Sequence, residues 1–234
     1  MAFPRQVVQV PGRTRAHSPV PEGTRCGDWL FSSLLGPTNG QRGETSREDA
    51  ELLFKRIGNL LDAAGGSPDN LVSLAVYVLD DEDRAAINGE WVKMFPDPAD
   101  RPARHILNVY PNGTHWRFSA WITAVMGDQL GRLVNSPMLI GRTRGGTGEL
   151  PSDRLEEVEV MFDNLKSWIE GEGGTLDNVA SVMVYLMEDD RSTVNTVWGK
   201  VFPDTSDLPC RQTLIMQPSG IPNAHYGAVA IAVL

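Results

Sequence analysis

The chain of 234 residues contains one long pattern twice. "AGGSPDNLVSLAVYVLDDEDRAAINGEWVKMFPDPADRPAR" (64–104) matches "EGGTLDNVASVMVYLMEDDRSTVNTVWGKVFPDTSDLPCR" (172–211), and "WRFSAWITAVM" (116–126) matches "AHYGAVAIAVL" (224–234). Self-similarity on this scale indicates a tandem duplication. We therefore predict two domains, residues 1–126, which include an N-terminal extension, and residues 127–234. Because no Pro/Ser-rich linker separates them, we expect the two repeats to pack together.

Each repeat predicts the same small α+β unit. In the first, "DWLFSSLL" (28–35) indicates a strand, and a helix is expected from Ser46, whose hydroxyl would cap the first turn while Asp49 reaches back. "GGSPDN" (65–70) should end that helix, because glycine tolerates the left-handed C-cap conformation. Five apolar residues share one face at helical spacing: Leu52, Leu53, Ile57, Leu60 and Leu61.

The rest of the repeat continues the alternation of strands and helices. "LVSLAVYVL" (71–79) reads as a buried strand, since it is β-branched and apolar. A second helix follows, with Ile87, Trp91 and Met94 on one face, and then the strands "HILNVY" and "WRFSAWITAVM". This order implies a mixed sheet with both helices on one face. The other face must be covered, and association into a ring or barrel would cover it.

Composition excludes several classes of function. The net charge of −9 and the pI of about 4.9 disfavour phosphate backbones, so we expect no nucleic-acid partner. Two cysteines and four scattered histidines predict neither a zinc site nor a disulfide framework. The chain lacks the apolar run of about 18–20 residues that a membrane span needs, and its first residues do not resemble a signal peptide. A cytoplasmic location without a membrane partner is expected.

Arg104 and Arg211 are the strongest candidate binding residues. Each follows a Pro-x pair at the start of a strand, where the stiff backbone can aim the side chain. A guanidinium grips a carboxylate with two hydrogen bonds, at roughly 1.5–3 kcal/mol per charge-assisted bond. The alternative is an ordinary salt bridge, although recurrence at the same place in both repeats weakens it.

Asparagine and serine accompany these arginines. Asn88 and Asn195 interrupt amphipathic helices, either to line a site or to bond a nearby backbone. Ser33 and Ser136, at the end of the first strand of each repeat, offer a hydroxyl. Trp91 and Trp198 are interpreted as core residues. With no Ser-His-Asp, HExxH or GxGxxG pattern, the residues suit carboxylate binding and polarisation, with water as the nucleophile.

At these residues the chain resembles the reactive-intermediate deaminase family (RidA, formerly YjgF). Both repeats follow its pattern of a strand-end Ser, a Gly turn, a Tyr strand, an Asn helix and a Pro-x-Arg. The matching residues are Ser33, Gly65, Tyr77, Asn88, Phe95 and Arg104, then Ser136, Gly173, Tyr185, Asn195, Phe202 and Arg211.

The resemblance implies a fold and an activity. It implies a chorismate-mutase-like fold and trimers around a central barrel, with clefts between units. There an arginine holds the carboxylate of an imine or enamine acid, and water hydrolyses the C=N bond to a keto acid and ammonia without a cofactor or metal. By position, Arg104 and Arg211 would be the clamps, and Ser33, Asn88, Ser136 and Asn195 would help to line the clefts.

Two departures from the family bear on the substrate. The family's early Tyr falls at Val20, and the Glu that would position the hydrolytic water falls at Arg117 and His225. An extra cation would suit a second carboxylate, as in a 2-aminomuconate-type dicarboxylate. His225 could also act as an acid or base, the alternative being a structural histidine. The predicted function is therefore a cofactor-free hydrolytic deaminase, and the alternative is a non-catalytic protein that binds small carboxylates.

Overall fold

The computed structural model describes residues 3–11, 19–37, 43–109, 116–143, 147–215 and 223–234. In its first half the strands and helices are β1 (Arg5–Val8), β2 (Gly23–Cys26), β3 (Trp29–Ser32), α1 (Ser46–Ala63), β4 (Leu71–Val78), α2 (Arg84–Met94), β5 (Ala103–Asn108) and β6 (Phe118–Val125). In its second half they are β7 (Leu133–Asn135), β8 (Leu139–Ile140), α3 (Arg154–Gly171), β9 (Val179–Leu186), α4 (Arg191–Val201), β10 (Cys210–Ile215) and β11 (Tyr226–Val233).

The two mixed sheets share the arrangement of four strands, β3-β6-β4-β5 in the first and β7-β11-β9-β10 in the second. The first has the order β1-β2-β3-β6-β4-β5, and the second has the order β10-β9-β11-β7, with β8 also paired to β11. The only parallel pair of each named sheet is equivalent in the two, β4 with β5 and β9 with β10. Each sheet packs on its own two helices through a separate apolar core. The predicted α+β class, with two helices on one face of a mixed sheet in each repeat, is confirmed.

The first helix begins at Ser46 as predicted, but its capping residue is the one before it. Thr45 is the N-cap: its side chain accepts from the backbone of Glu48, and the Glu48 carboxylate accepts from the backbone of Thr45. The prediction that Ser46 and Asp49 form this capping box is wrong. Both pairs have the same three-residue spacing, so the pattern alone could not choose between them. Gly65 follows the helix with a φ of 84°, the left-handed conformation that was expected.

The helical periodicity locates the core with one exception. Leu53, Ile57, Leu60 and Leu61 are fully buried, whereas Leu52, predicted to share their face, is 37% exposed. In the second helix Ile87 and Trp91 are buried and Met94 packs against the same core. The predicted strands at 71–79, 105–110 and 116–126 are confirmed within the described residues as β4, β5 and β6.

The sheet faces opposite the helices cover one another in part. One shared cluster contains Cys26 and Phe31 of the first repeat with Ala180, Cys210 and Val233 of the second. Another joins Ala75 and Tyr77 to Leu214. Both cysteines are buried and neither is in a disulfide, and burial raises the pKa of the Cys26 thiol to about 12. The two repeats thus pack together through these faces.

The first repeat also carries an antiparallel hairpin that the sequence analysis did not predict. β1 pairs with β2 from Arg5 opposite Cys26 to Val8 opposite Gly23, and β2 pairs with β3. No described strand occupies the corresponding place in the second repeat, where β7 follows β6 after residues 126–132, all of them described. The hairpin is therefore what most distinguishes the two repeats.

Candidate functional site

Arg211 lies where the second repeat meets the first. It is the second residue of β10, directly after Pro209 and Cys210, and it pairs with Val182 of β9. Its backbone N–H donates to Ser33 Oγ at 3.1 Å, and its carbonyl accepts from the backbone of Leu34 at 3.4 Å. The Pro-x-Arg strand of one repeat is thereby joined to the strand-end serine of the other.

The Arg211 guanidinium is buried without an opposite charge. Nη2 donates to Asn195 Oδ1 at 2.5 Å, and the guanidinium carbon lies 4.8 Å from the centre of the Trp198 ring. Nη1 is buried and has no partner among the described residues, and the side chain forms no ion pair with them. Burial, followed by the nearby charge of Arg191, lowers the pKa of Arg211 to about 10. Since an unpaired buried cation is costly, this arrangement favours an incoming anion.

Residues 19–22 form one wall of this site, which we call the N-terminal wall. The Pro19 carbonyl accepts from Trp198 Nε1 at 3.2 Å, and the Glu22 carbonyl accepts from the backbone of Ser33 at 2.9 Å. Val20 packs against the core of the second repeat. The wall therefore contacts both the indole beneath the guanidinium and the serine that holds the Arg211 backbone.

Arg104 has only part of this environment. Its guanidinium carbon lies 4.7 Å from the centre of the Trp91 ring, and its Nη1 is buried without a partner among the described residues. Burial and the charge of Arg101 lower its pKa. Asn88 is exposed, and no hydrogen bond joins it to Arg104 within the described chain. The stacking of arginine on tryptophan is thus repeated, but the asparagine contact and the wall are not.

The strand pairing changes which serines are equivalent. Ser136 Oγ accepts from the backbone of β11 at 2.8 Å, and the residue that accepts the corresponding bond from β6, at 2.9 Å, is Ser32. The position of Ser33 in the second repeat is occupied by Pro137. The sequence-based pairing of Ser33 with Ser136 was therefore wrong by one residue, and only Ser33 contacts an arginine clamp.

Arg117 and His225 are equivalent to each other, but they lie away from the clamps. Arg104 pairs with Leu74 of β4, whereas the carbonyl of Arg117 accepts from the backbone of Leu79. Five residues of extended strand separate these two points by about 16 Å. The same five-residue interval, Val182 to Met187, separates Arg211 from His225.

Both residues instead bind a buried carboxylate on the first helix of their repeat. Arg117 Nη1 donates to Asp49 Oδ2 at 2.8 Å, and His225 Nδ1 lies 3.0 Å from Glu157 Oε2. Asp49 also accepts from the backbone of Gly43, and Glu157 from the backbone of His225. Their geometry accounts for both as links between helix and strand, and the structure does not bring them to Arg104 or Arg211.

Two other concavities are lined by neither Arg104 nor Arg211. One of about 200 Å³ lies between the repeats and is lined by uncharged residues, among them Trp121, Tyr185 and Gln212. A more open one of about 490 Å³ lies between α1 and α2. The described part of the chain holds no group of three or more His, Cys, Asp or Glu side chains arranged for a metal ion, and none of its helices is long and apolar enough to cross a membrane.

The fold and site together define a protein of two α+β repeats. Each repeat has an arginine stacked on a tryptophan near the start of a strand, β5 in the first repeat and β10 in the second. Residues 14–125 match the family model described as endoribonuclease L-PSP, which is the model of the RidA/YjgF proteins. The first repeat thus belongs to the RidA/YjgF family, and the second repeats its strands and helices in the same order. The resemblance noted in the sequence is confirmed.

Solved structures similar to this chain each correspond to about one repeat. A putative endoribonuclease from Thermotoga maritima is 21% identical, with a TM-score of 0.48, over 53% of this chain and 98% of its own. A YjgF-family member from Neisseria meningitidis is 24% identical, with a TM-score of 0.45, over 55% and 99%. A hypothetical protein from Haemophilus influenzae is 21% identical, with a TM-score of 0.48, over 53% and 100%.

Proposed function

We propose that this protein binds a small carboxylic acid at Arg211 and hydrolyses an imine or enamine bond next to that carboxylate. The observation that supports this is the buried guanidinium, 7% exposed, whose Nη1 has no partner and no counter-ion among the described residues. A carboxylate at Nη1 would supply the missing charge through a charge-assisted hydrogen bond. The same charge would hold the adjacent C=N carbon in one place.

The reaction adds water across the C=N bond and then releases ammonia. In balance, a 2-imino acid and one water give a 2-keto acid and one ammonia. Asn195 and Ser33 are neutral, so their role would be to orient the substrate, and the rate would come from positioning an already electrophilic carbon. This hydrolysis requires no redox step. The acidic balance of the chain, −9, disfavours an RNA substrate.

The proposed substrate is a monocarboxylate. The case for a dicarboxylate of the 2-aminomuconate type depended on Arg117 and His225 as extra cations in the cleft. Both are bound to Asp49 and Glu157, at the far end of their strands. A second carboxylate would therefore find no partner from either of them.

Non-catalytic carboxylate binding is the competing function, and one observation favours it. Within the described chain no carboxylate contacts Arg211, Asn195 or Ser33, so no general base for water is evident beside the clamp. A binding protein would show the same affinity for a 2-keto acid without turnover.

Ammonia release separates these functions. A 2-imino acid generated in place by an amino-acid oxidase should be hydrolysed faster with the protein than without it, and 2-aminomuconate should react poorly. The Arg211→Ala variant should lose at least about 30-fold in rate, as expected for one charge-assisted contact. Activity should survive EDTA and dialysis. Tight binding of 2-oxobutanoate without ammonia release would favour the binding protein, and no binding would contradict both.

A further inference from the structure

The two arginines do not have equivalent surroundings, and the difference comes from the N-terminal segment. Arg5 lies on β1 of the first repeat, yet its side chain is buried in the second. Its Nε donates to Asp207 Oδ1 at 2.8 Å, and its Nη1 donates to the carbonyls of Leu176 and Val179 at 2.6 and 3.1 Å. The guanidinium also lies over the ring of Phe202, 5.4 Å from its centre.

These contacts fix the hairpin to the loop that leads to Arg211. Asp207 lies between α4 and β10, in the same loop as Leu208, whose carbonyl accepts from Thr24 Oγ1 of β2 at 2.8 Å. β2 follows the N-terminal wall directly, since Glu22 is the residue before Gly23. Arg5 and Thr24 thus hold the strands from which the wall extends over Trp198 and Ser33.

The described part of the second repeat has no segment that could do the same for Arg104. All residues from 116 to 143 are described, and they contain no counterpart of β1, β2 or the N-terminal wall. The hairpin of the first repeat is itself occupied, because it already packs on the second repeat of its own chain. If a second copy of the chain packed against Arg104, it could therefore contribute only strand β7, which has Pro137 at the position of Ser33.

We propose that each chain carries one complete carboxylate site, at Arg211, and that Arg5 is a positioning residue of that site. This rests on the proposed function and deepens it. Arg104 does not form a second tight site, because it lacks the wall, the serine contact and the bond to an asparagine. Arg5 acts at a distance, by holding the wall that keeps water away from the guanidinium and strengthens its hold on an anion.

Calorimetric titration with 2-oxobutanoate, a stable 2-keto acid, tests the site count. We expect one molecule bound per chain, a loss of affinity of about 30-fold or more for Arg211→Ala, and a change of less than about twofold for Arg104→Ala. Two molecules per chain, or equal losses in the two variants, would overturn this inference and leave the proposed function standing. A wild-type chain without affinity for the keto acid would overturn the proposed function and this inference with it.

The test of Arg5 must distinguish a loss of ligand affinity from a loss of protein stability. Arg5→Met should weaken binding by about tenfold well below its melting temperature, and Arg5→Lys should restore part of it, since Lys keeps the charge but not the fork. In the Arg211→Ala background Arg5→Met should have little further effect, because the two act on one site. Arg132→Met, which removes an exposed pair with Glu172, is the matched control and should bind normally. Unchanged affinity in Arg5→Met would overturn the positioning role.

Discussion

Arg117 and His225 each bind a buried carboxylate near the start of the first helix of their own repeat. Asp49 is fully buried and Glu157 is 1% exposed, so each needs the donors it has. In the first repeat Arg117 is the only charged partner of Asp49 among the described residues. Removing one member of a buried pair leaves the other uncompensated, which costs more than the pair itself contributes.

Arg117→Met should therefore lower the free energy of unfolding by about 3 kcal/mol, because the Asp49 carboxylate would keep only the backbone N–H of Gly43 as a donor. Urea denaturation monitored by circular dichroism measures this change in the free energy of unfolding. The control is Arg47→Met, at an exposed position on the same helix, which should stay within about 0.5 kcal/mol of wild type. Similar values for the two variants would mean that the buried pair does not stabilise the fold.

At the scale of elements, α1 carries a glycine that its packing does not require. A Cβ built on Gly58 meets nothing within 4 Å, although the residue lies inside an 18-residue helix. Glycine in a helix interior costs about 0.8–1.0 kcal/mol relative to alanine. At Gly36, in contrast, a Cβ would come within 2.1 Å of the Trp116 ring.

Gly58→Ala should raise the free energy of unfolding by about 0.5–1 kcal/mol. Gly36→Ala is the opposing control and should lower it, because the indole must shift to make room. Thermal and urea melts of both variants provide the test. A Gly58→Ala protein less stable than wild type would show that the helix needs the glycine for a reason its static packing does not reveal.

At the scale of the whole molecule, strand β10 of the second repeat is covered on the face opposite the helices, whereas the equivalent strand β5 of the first repeat is open there. Leu214 of β10 is 3% exposed within the cluster that joins the repeats, whereas its counterpart Leu107 of β5 is 53% exposed. The open counterpart suggests that another copy of the chain covers β5. A trimer of two-repeat chains, as the family resemblance implies, remains our proposal for the assembly.

Light scattering should then give a mass above the 25.6 kDa of one chain. Leu107→Asp should reduce that mass, because burying an unpaired charge in the contact between copies would oppose docking. Val92→Asp, at an exposed apolar position on α2, is the control and should leave the mass unchanged. A wild-type monomer at all concentrations would contradict the proposal.

Local pattern determined the repeat, the α+β class and most of the core, and it singled out the two arginines that stack on tryptophan. Helix faces, Gly stops and β-branched strands follow from backbone and side-chain preferences over a few residues, so Leu53, Ile57 and Gly65 could be placed in advance. The recurrence of Pro-x-Arg at equivalent positions pointed to Arg104 and Arg211 for the same reason, since a repeat compares the chain with itself.

Only the tertiary structure decided what surrounds those arginines. Strand register distinguishes Ser32 from Ser33, and register depends on which strands pair rather than on the residues of one strand. The place of Arg117 and His225 was set by buried carboxylates 68 residues away along the chain. Arg5 reaches Asp207 across 202 residues. Contacts between residues so distant in sequence leave no local pattern, and here they are what makes the two repeats different.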